Sequence, residues 1–154
     1  MSREEHDRFI ALYGAKVRHS IQLVADLPDE TWSGPVGSDV KHLLVAERFW
    51  SRTLTSIDTD DAIPGPPGND VLAVHGPAIL AAYAEALPSI MKSFRSLPAT
   101  FALKRYRFVG APLTGMDFLW SVLAHHAYHL GQVDAAMRAQ GHSPRGFFPW
   151  AQGG

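Results

Sequence analysis

The stretch HHAYHLGQV, residues 125–133, places three histidines within five positions of an apolar segment that is typical of a helix. Helical positions advance about 100° per residue, so His125 and His129 share one face whereas His126 points elsewhere. Two imidazoles four residues apart can direct nitrogens to a single point, as they do in HExxH zinc helices. The pair therefore indicates a site for a divalent cation, with metal–nitrogen distances near 2.0–2.1 Å.

A durable metal site needs a further ligand, and the segment SDVKHLLVAERFW offers His42. On a helix, His42 falls in the apolar arc, while the basic residues of this segment share a solvent-facing stripe. That arc contains Val45, Ala46 and Phe49, and the basic stripe contains Lys41, Arg48 and Arg52. A three-histidine site would leave coordination positions open for water or substrate, as catalytic metal sites do.

Ordinary packing is the competing interpretation of these histidines. A buried histidine is more often a satisfied hydrogen-bonding group than a ligand, so His42 alone or the His125/His129 pair alone would favour packing. Their coincidence on inward faces of two helices makes the two interpretations comparable. The remaining histidines favour ordinary roles. His126 lies on a different face from the pair, with a reserve ligand or a ligand's hydrogen-bond partner as alternatives; His75 lies at a loop end, and His6, His19 and His142 are expected to be solvated.

Four helical segments must position these side chains. Capping-box pairs open the first and fourth segments, and Pro88 inside the third predicts a kink or a break. The predicted segments run from Ser2, paired with Glu5, to just before LPDE; from about Ser38 to Ile57; from near Pro77 to Leu97; and from Thr114, paired with Asp117, to about Gln140, ending at Gly141 before Pro144.

The connections between these segments complete the fold prediction. DTDDAIPGPPGND reads as a long surface connection, and PATFALKRYRFVGAPL alternates too weakly to predict a sheet. The aromatic residues Phe147, Phe148 and Trp150 of the C-terminal segment are expected to pack on the helices. The sequence thus predicts an all-α fold, a four-helix bundle with a long crossover connection, forming one domain over residues 1–154.

Composition narrows the functional classes. With 14 Lys plus Arg against 15 Asp plus Glu, the net charge of −1 gives no reason to expect nucleic acid or an anionic membrane as a partner. No apolar run approaches the roughly 20 residues that span a bilayer, and MSREEHDRF lacks a secretory h-region, so a cytoplasmic location is expected. The chain has no cysteine, so any thiol chemistry would take its sulfur from a small molecule.

Several segments together resemble the DinB-like superfamily of small bacterial metalloproteins. HHAYHLGQV is similar to that family's last-helix motif, in which a His-x-x-x-His pair precedes a Gly-Gln step. LPDETWSGPVGSDVKHLLVAERFW resembles its first-loop tryptophan and second-helix histidine, RFVGAPLTGMDFLWSVLAHH the start of its last helix, and GHSPRGFFPW its C-terminal segment. His126 departs from the commonest motif, which has an acidic or other polar residue there.

The resemblance implies a bundle of long-crossover topology and a divalent metal held by His42, His125 and His129. Characterised relatives include S-transferases that use bacillithiol or mycothiol and a mycothiol-dependent maleylpyruvate isomerase, while many others are described as metal-dependent hydrolases. Dimers are common in the family, so a homodimer is one candidate assembly. Histidine ligands suit zinc, nickel, iron and copper alike, so the sequence does not select the metal.

Three functions follow as hypotheses. The first is a metal-dependent transferase that activates a low-molecular-weight thiol for attack on a small electrophile, and the second is a hydrolase that uses metal-bound water. The hydrolase needs a base, but Glu47 points about 140° from His42 on a helix. The third is a metal- or ligand-binding bundle without catalysis. Residues that could line a substrate pocket, although packing is the favoured role for each, are Trp50, Tyr83, Trp120, Tyr128 and Gln132.

Overall fold

The computed structural model describes residues 3–57 and 61–142. It contains four α-helices and one β-hairpin: α1 (Arg3–Val24), α2 (Pro35–Thr53), α3 (Ala78–Ser96), β1 (Arg105–Phe108), β2 (Ala111–Thr114) and α4 (Gly115–Ala139). Short 3-10 turns cover Asp29–Ser33, Asn69–Val71 and Ala99–Leu103. The predicted all-α class is therefore confirmed, with a small hairpin added. Within the described ranges no helix is both long and apolar enough to cross a membrane.

The helix boundaries follow local chemistry. α2 begins at Pro35, three residues before the predicted start, because proline suits the first turn of a helix, where its missing N–H is not needed. α4 opens with the predicted capping box, in which Thr114 and Asp117 exchange 3.1 Å hydrogen bonds. It ends before Gly141, whose φ of 82° favours glycine. α3 continues through Pro88, which lies on the exposed face, so the alternative of a break was wrong.

The helices pack in an order that differs from their order in the chain. Helix α1 packs against α3 and α4, and so does α2, whereas the consecutive helices α1 and α2 lie diagonally across the bundle. In a simple up-and-down bundle, consecutive helices would be neighbours. The chain therefore crosses the bundle between α1 and α2, and residues 54–77 form a long connection from α2 to α3. The predicted crossover bundle is confirmed, and α2 and α4 lie side by side.

One side chain from each helix meets at the centre of the bundle. Glu47 of α2 accepts hydrogen bonds from Tyr13 of α1 at 2.5 Å, from Tyr83 of α3, and from Nδ1 of His126 of α4 at 2.6 Å. These side chains are almost completely inaccessible to solvent. Because a buried carboxylate without partners is costly, the four groups constrain how the helices pack against one another.

The connections are more ordered than the sequence predicted. β1 and β2 pair in an antiparallel hairpin, joined through Val109 and Gly110, which both have positive φ. The Pro-rich connection does not simply lie on the surface: the backbone N–H of Ile63 donates to the carbonyl oxygen of Arg107 at 2.7 Å, and Ile63 is buried. Trp50 of α2 donates its Nε1 proton to the Pro64 carbonyl oxygen. The predicted packing of Phe147, Phe148 and Trp150 lies outside the described residues.

Several predictions of exposure were wrong. His6 and His19 are buried, because α1 packs against both α3 and α4. His6 Nε2 lies 2.8 Å from the Phe94 carbonyl oxygen of α3. Lys41 is also buried rather than solvent-facing, and its Nζ lies 3.2 Å from His75 Nδ1. Gln132, for which packing was the favoured role, is exposed.

Candidate metal centre

The structure brings His42, His125 and His129 together between α2 and α4. One possible ligand atom from each imidazole lies within 4.8 Å of the other two. The ring centroids are 4.5–5.0 Å apart, and the rings meet edge to face. All three side chains are half-buried, so the cluster lies at the edge of the core, where a small molecule can reach it. Among the described residues, these three side chains lie close enough together to hold one metal ion.

The donor set fits a divalent cation. The Nε2 atoms of His42 and His125 lie 3.1 Å apart. Two nitrogens that each lie roughly 2.05 Å from one tetrahedral ion would be about 3.3 Å apart, so this pair already has nearly the spacing required. Without an ion, the same two nitrogens can share one proton in a hydrogen bond. Neutral imidazoles suit zinc, nickel and iron, and the arrangement does not distinguish between them.

The electrostatic environment keeps His42 and His125 in their coordinating form. Burial, together with smaller contributions from the neighbouring His129 and His42, lowers the pKa of His125 to about 4. Burial also lowers the pKa of His42, with His129 adding to the effect, while Asp39 and Glu47 act in the opposite direction. A histidine must be neutral to coordinate a metal, so the protein resists the competing protonated state near pH 7.

Asp39 is a site residue that the sequence analysis missed. Its carboxylate accepts a hydrogen bond from His129 Nδ1 at 3.0 Å, and both side chains are half-buried. The signal was present in the sequence, because Asp39 precedes His42 by three residues and thus falls on the same face of α2. It was overlooked because its partner lies 90 residues away in the chain.

His126, which directly follows His125 in the chain, does not join the cluster. It is fully buried and turned into the bundle centre, where Nδ1 contacts Glu47 and Nε2 lies 2.8 Å from Ser20 Oγ. The sequence placed His126 on a different face from His125 and His129, and it did not predict that this face is the fully buried one. His126 therefore lies at the middle of the buried face of α4, and His125 and His129 lie at the edge of that face.

The five aromatic and polar residues suggested as pocket lining divide into two groups. Trp50 packs against His125 at a centroid distance of 5.1 Å, and Tyr128 packs against His129 at 5.2 Å. Gln132 donates to the hydroxyl oxygen of Tyr128, so it is linked to the site through that ring. Tyr83 instead belongs to the Glu47 network, and Trp120 packs on Phe9 and donates to Glu5.

Comparison with known proteins supports the fold. No family model matches the sequence, and no curated protein matches it. The fold matches a solved structure of YfiT from Bacillus subtilis, described as a probable metal-dependent hydrolase with an unusual four-helix bundle topology. The two chains have a TM-score of 0.69 and 19% sequence identity, and the match covers 93% of this chain and 91% of YfiT. At this identity, the likeness establishes a shared four-helix bundle fold.

Proposed function

We propose that this chain is a DinB-like metalloenzyme that transfers a low-molecular-weight thiol to a small electrophile. His42, His125 and His129 would hold the divalent cation. The observation that carries the proposal is the convergence of three imidazoles from two helices, at distances that suit one ion. The resemblance of HHAYHLGQV to the last-helix motif of the superfamily and the shared fold with YfiT support it.

The chemistry of the donor set explains why such a site suits a thiol. Three neutral imidazoles leave the charge of a bound divalent cation uncompensated, so the cation lowers the pKa of a thiol or of water in an open coordination position. The three histidines would place the cation, and with it this open coordination position, at the edge of the core. Tyr128, which packs on His129 and is exposed, presents aromatic surface to a small substrate, whereas Trp50 packs against His125 from within the core.

Both carboxylates near the site are held in hydrogen bonds, and their lack of availability as a base favours a thiol over water as the nucleophile. Asp39 is engaged with His129, and Glu47 is buried among Tyr13, Tyr83 and His126. Neither is free to act as a general base. A thiol loses its proton at a pKa of about 8.5, far below that of water, so it depends less on such a base. Since the chain has no cysteine, the thiol would be a separate molecule.

Hydrolysis is the second candidate function, because the solved structure that shares this fold is described as a metal-dependent hydrolase. In this alternative the same three histidines hold the cation, and water takes the place of the thiol. The two functions differ in their need for an added thiol: thiol transfer requires one, whereas hydrolysis proceeds without it. A protein that binds the metal without turning over either kind of substrate would instead be a metal- or ligand-binding bundle.

The test begins with the metal. We expect about one divalent ion per chain by mass spectrometry of the untagged protein after incubation with zinc, nickel or ferrous iron, and none in His42→Ala or His129→Ala. His142→Ala is the matched control, because His142 lies beyond α4 and outside the cluster. Wild-type protein that takes up none of these ions would overturn the proposal.

The second stage separates the reactions. Metal-loaded protein is incubated with a chromogenic electrophile and with bacillithiol, mycothiol or cysteine in turn, and conjugation is expected with at least one thiol. The same protein is tested on nitrophenyl esters without thiol. Ester cleavage without thiol, together with no conjugation, would establish the hydrolase instead. Gel filtration with light scattering tests the homodimer that we propose from the family resemblance.

A further inference from the structure

We infer that Asp39 is a positioning residue, which fixes the tautomer of His129 so that Nε2 is left as its coordinating nitrogen. This inference rests on the proposed metal site and extends it to a residue outside the ligand set. A neutral imidazole carries one proton, on Nδ1 or on Nε2, and only the bare nitrogen can coordinate an ion. A site built from histidines must therefore control where each proton is held.

The contact between Asp39 and His129 supplies this control. A carboxylate oxygen only accepts hydrogen bonds, so the 3.0 Å approach of Oδ1 to Nδ1 places the proton on Nδ1. The imidazole in water prefers the opposite tautomer, with the proton on Nε2. Asp39 thus reverses the intrinsic preference and leaves the lone pair on Nε2. The two side chains are only 19% and 17% exposed, so water competes weakly for this bond.

His125 shows what happens without such a partner. Nδ1 of His125 is buried and has no hydrogen-bond partner. Its Nε2 instead faces Nε2 of His42 at 3.1 Å, which requires a proton on one of the two nitrogens. Their coordinating nitrogens therefore compete for a proton in the metal-free protein. His129 is the ligand whose tautomer is set in advance.

The arrangement also has an electrostatic consequence. Among the described residues no lysine or arginine forms an ion pair with Asp39, whose contact is with His129, so its charge is not neutralised in that way. Coordination at Nε2 makes the Nδ1 proton more acidic, which strengthens its hydrogen bond to a carboxylate. Asp39 should accordingly raise metal affinity, and loss of such an orienting partner typically weakens binding by about 10–100-fold.

The decisive measurement does not need a metal. Nitrogen-15 NMR of the metal-free protein distinguishes the protonated from the bare ring nitrogen of each histidine. We expect wild-type His129 to be protonated at Nδ1, and Asp39→Ala to shift it toward the Nε2 tautomer. Asp39→Asn should largely retain the wild-type tautomer, because its carbonyl oxygen can still accept the bond. Asp134→Ala, which removes an ion pair with Arg138 elsewhere on α4, is the control and should leave His129 unchanged.

Affinity for Zn²⁺, measured by chelator competition, gives the second readout. We expect about a 10–100-fold loss for Asp39→Ala and a smaller loss for Asp39→Asn. A merely structural Asp39 would lower the melting temperature without changing the tautomer, and that result would overturn the inference. If the wild type shows the Asp39-dependent tautomer but binds no metal, the proposed function fails while the assignment of Asp39 stands.

Discussion

Neighbouring residues of the same type take different roles on α4. His125 and His129 lie half-buried at the edge of the core, while His126, one position away from His125, is fully buried and bonded to Glu47. A rotation of about 100° between successive residues is sufficient for this division. His125 can thus be reached by a metal ion, whereas His126 takes part in the packing of the bundle.

The tyrosines around Glu47 give a residue-scale prediction about alkaline stability. Burial, and then the charge of Glu47, raise the pKa of Tyr13 and of Tyr83 well above 10. In the unfolded chain both hydroxyls titrate near 10, so above that pH the unfolded state releases protons that the folded state retains. The free energy of unfolding should therefore be unaffected by these groups below pH 9 and fall as pH rises beyond 10.

Urea denaturation between pH 8 and pH 11 checks this expectation. Two such tyrosines lower the free energy of unfolding by up to about 2.7 kcal/mol per pH unit, and Tyr13→Phe should halve the slope to about 1.4 kcal/mol. At neutral pH the same variant loses a hydrogen bond to Glu47 and about 1–3 kcal/mol. Tyr128→Phe, at an exposed tyrosine, should keep the wild-type slope. An unchanged slope in Tyr13→Phe would contradict the prediction.

At the scale of elements, the start of α2 determines where Asp39 and His42 lie. A Cβ atom at Gly37 would come within 1.9 Å of the Trp32 carbonyl oxygen, because the preceding 3-10 turn packs directly on the first turn of the helix. No side chain fits there unless the backbone moves. Because Asp39 and His42 follow Gly37 on the same helix, a shift of the helix start would move both side chains relative to α4.

Substitution of two glycines tests this dependence. Gly37→Ala should lower the free energy of unfolding by about 1–3 kcal/mol through overpacking, and weaken Zn²⁺ binding because Asp39 and His42 move with the helix. Gly131→Ala is the matched control on α4, where an added Cβ meets nothing within 4 Å. It should raise stability by up to about 1 kcal/mol, since alanine is the better helix former. Equal effects at the two positions, in urea denaturation and chelator competition, would refute this argument.

For the whole molecule, the candidate metal centre joins helices that are distant in sequence. α2 supplies His42 and Asp39, and α4 supplies His125 and His129, with the whole of α3 and the hairpin between them in the chain. Because the unfolded chain does not hold these side chains together, metal binding should favour the folded state.

This linkage predicts a gain in stability on adding metal. At an ion concentration about 100 times Kd, the free energy of unfolding should rise by about 2.7 kcal/mol. For a chain of this length, that corresponds to an increase in Tm of roughly 5–10 °C. Differential scanning calorimetry with and without Zn²⁺ measures it. His42→Ala should show no increase, and an equal increase in that variant would place the bound ion elsewhere.

The sequence by itself determined the local features of this protein. Helical periodicity and capping residues predicted four helices, and those signals act within a few residues of one another, as the Thr114–Asp117 box shows. The i,i+4 spacing likewise placed His125 and His129 on one face. The alternating signal of β1 and β2 was too short to predict the hairpin, which depends on pairing with each other and with Ala62.

The tertiary structure decided which faces are inward and which side chains meet. Periodicity gives the angle between residues on one helix but not the rotation of that helix against its neighbours. The buried face of α4 is therefore centred on His126, and His6, His19 and Lys41 are covered where solvent was expected. The contact between Asp39 and His129 spans 90 residues, and it exists because the crossover topology sets α2 beside α4.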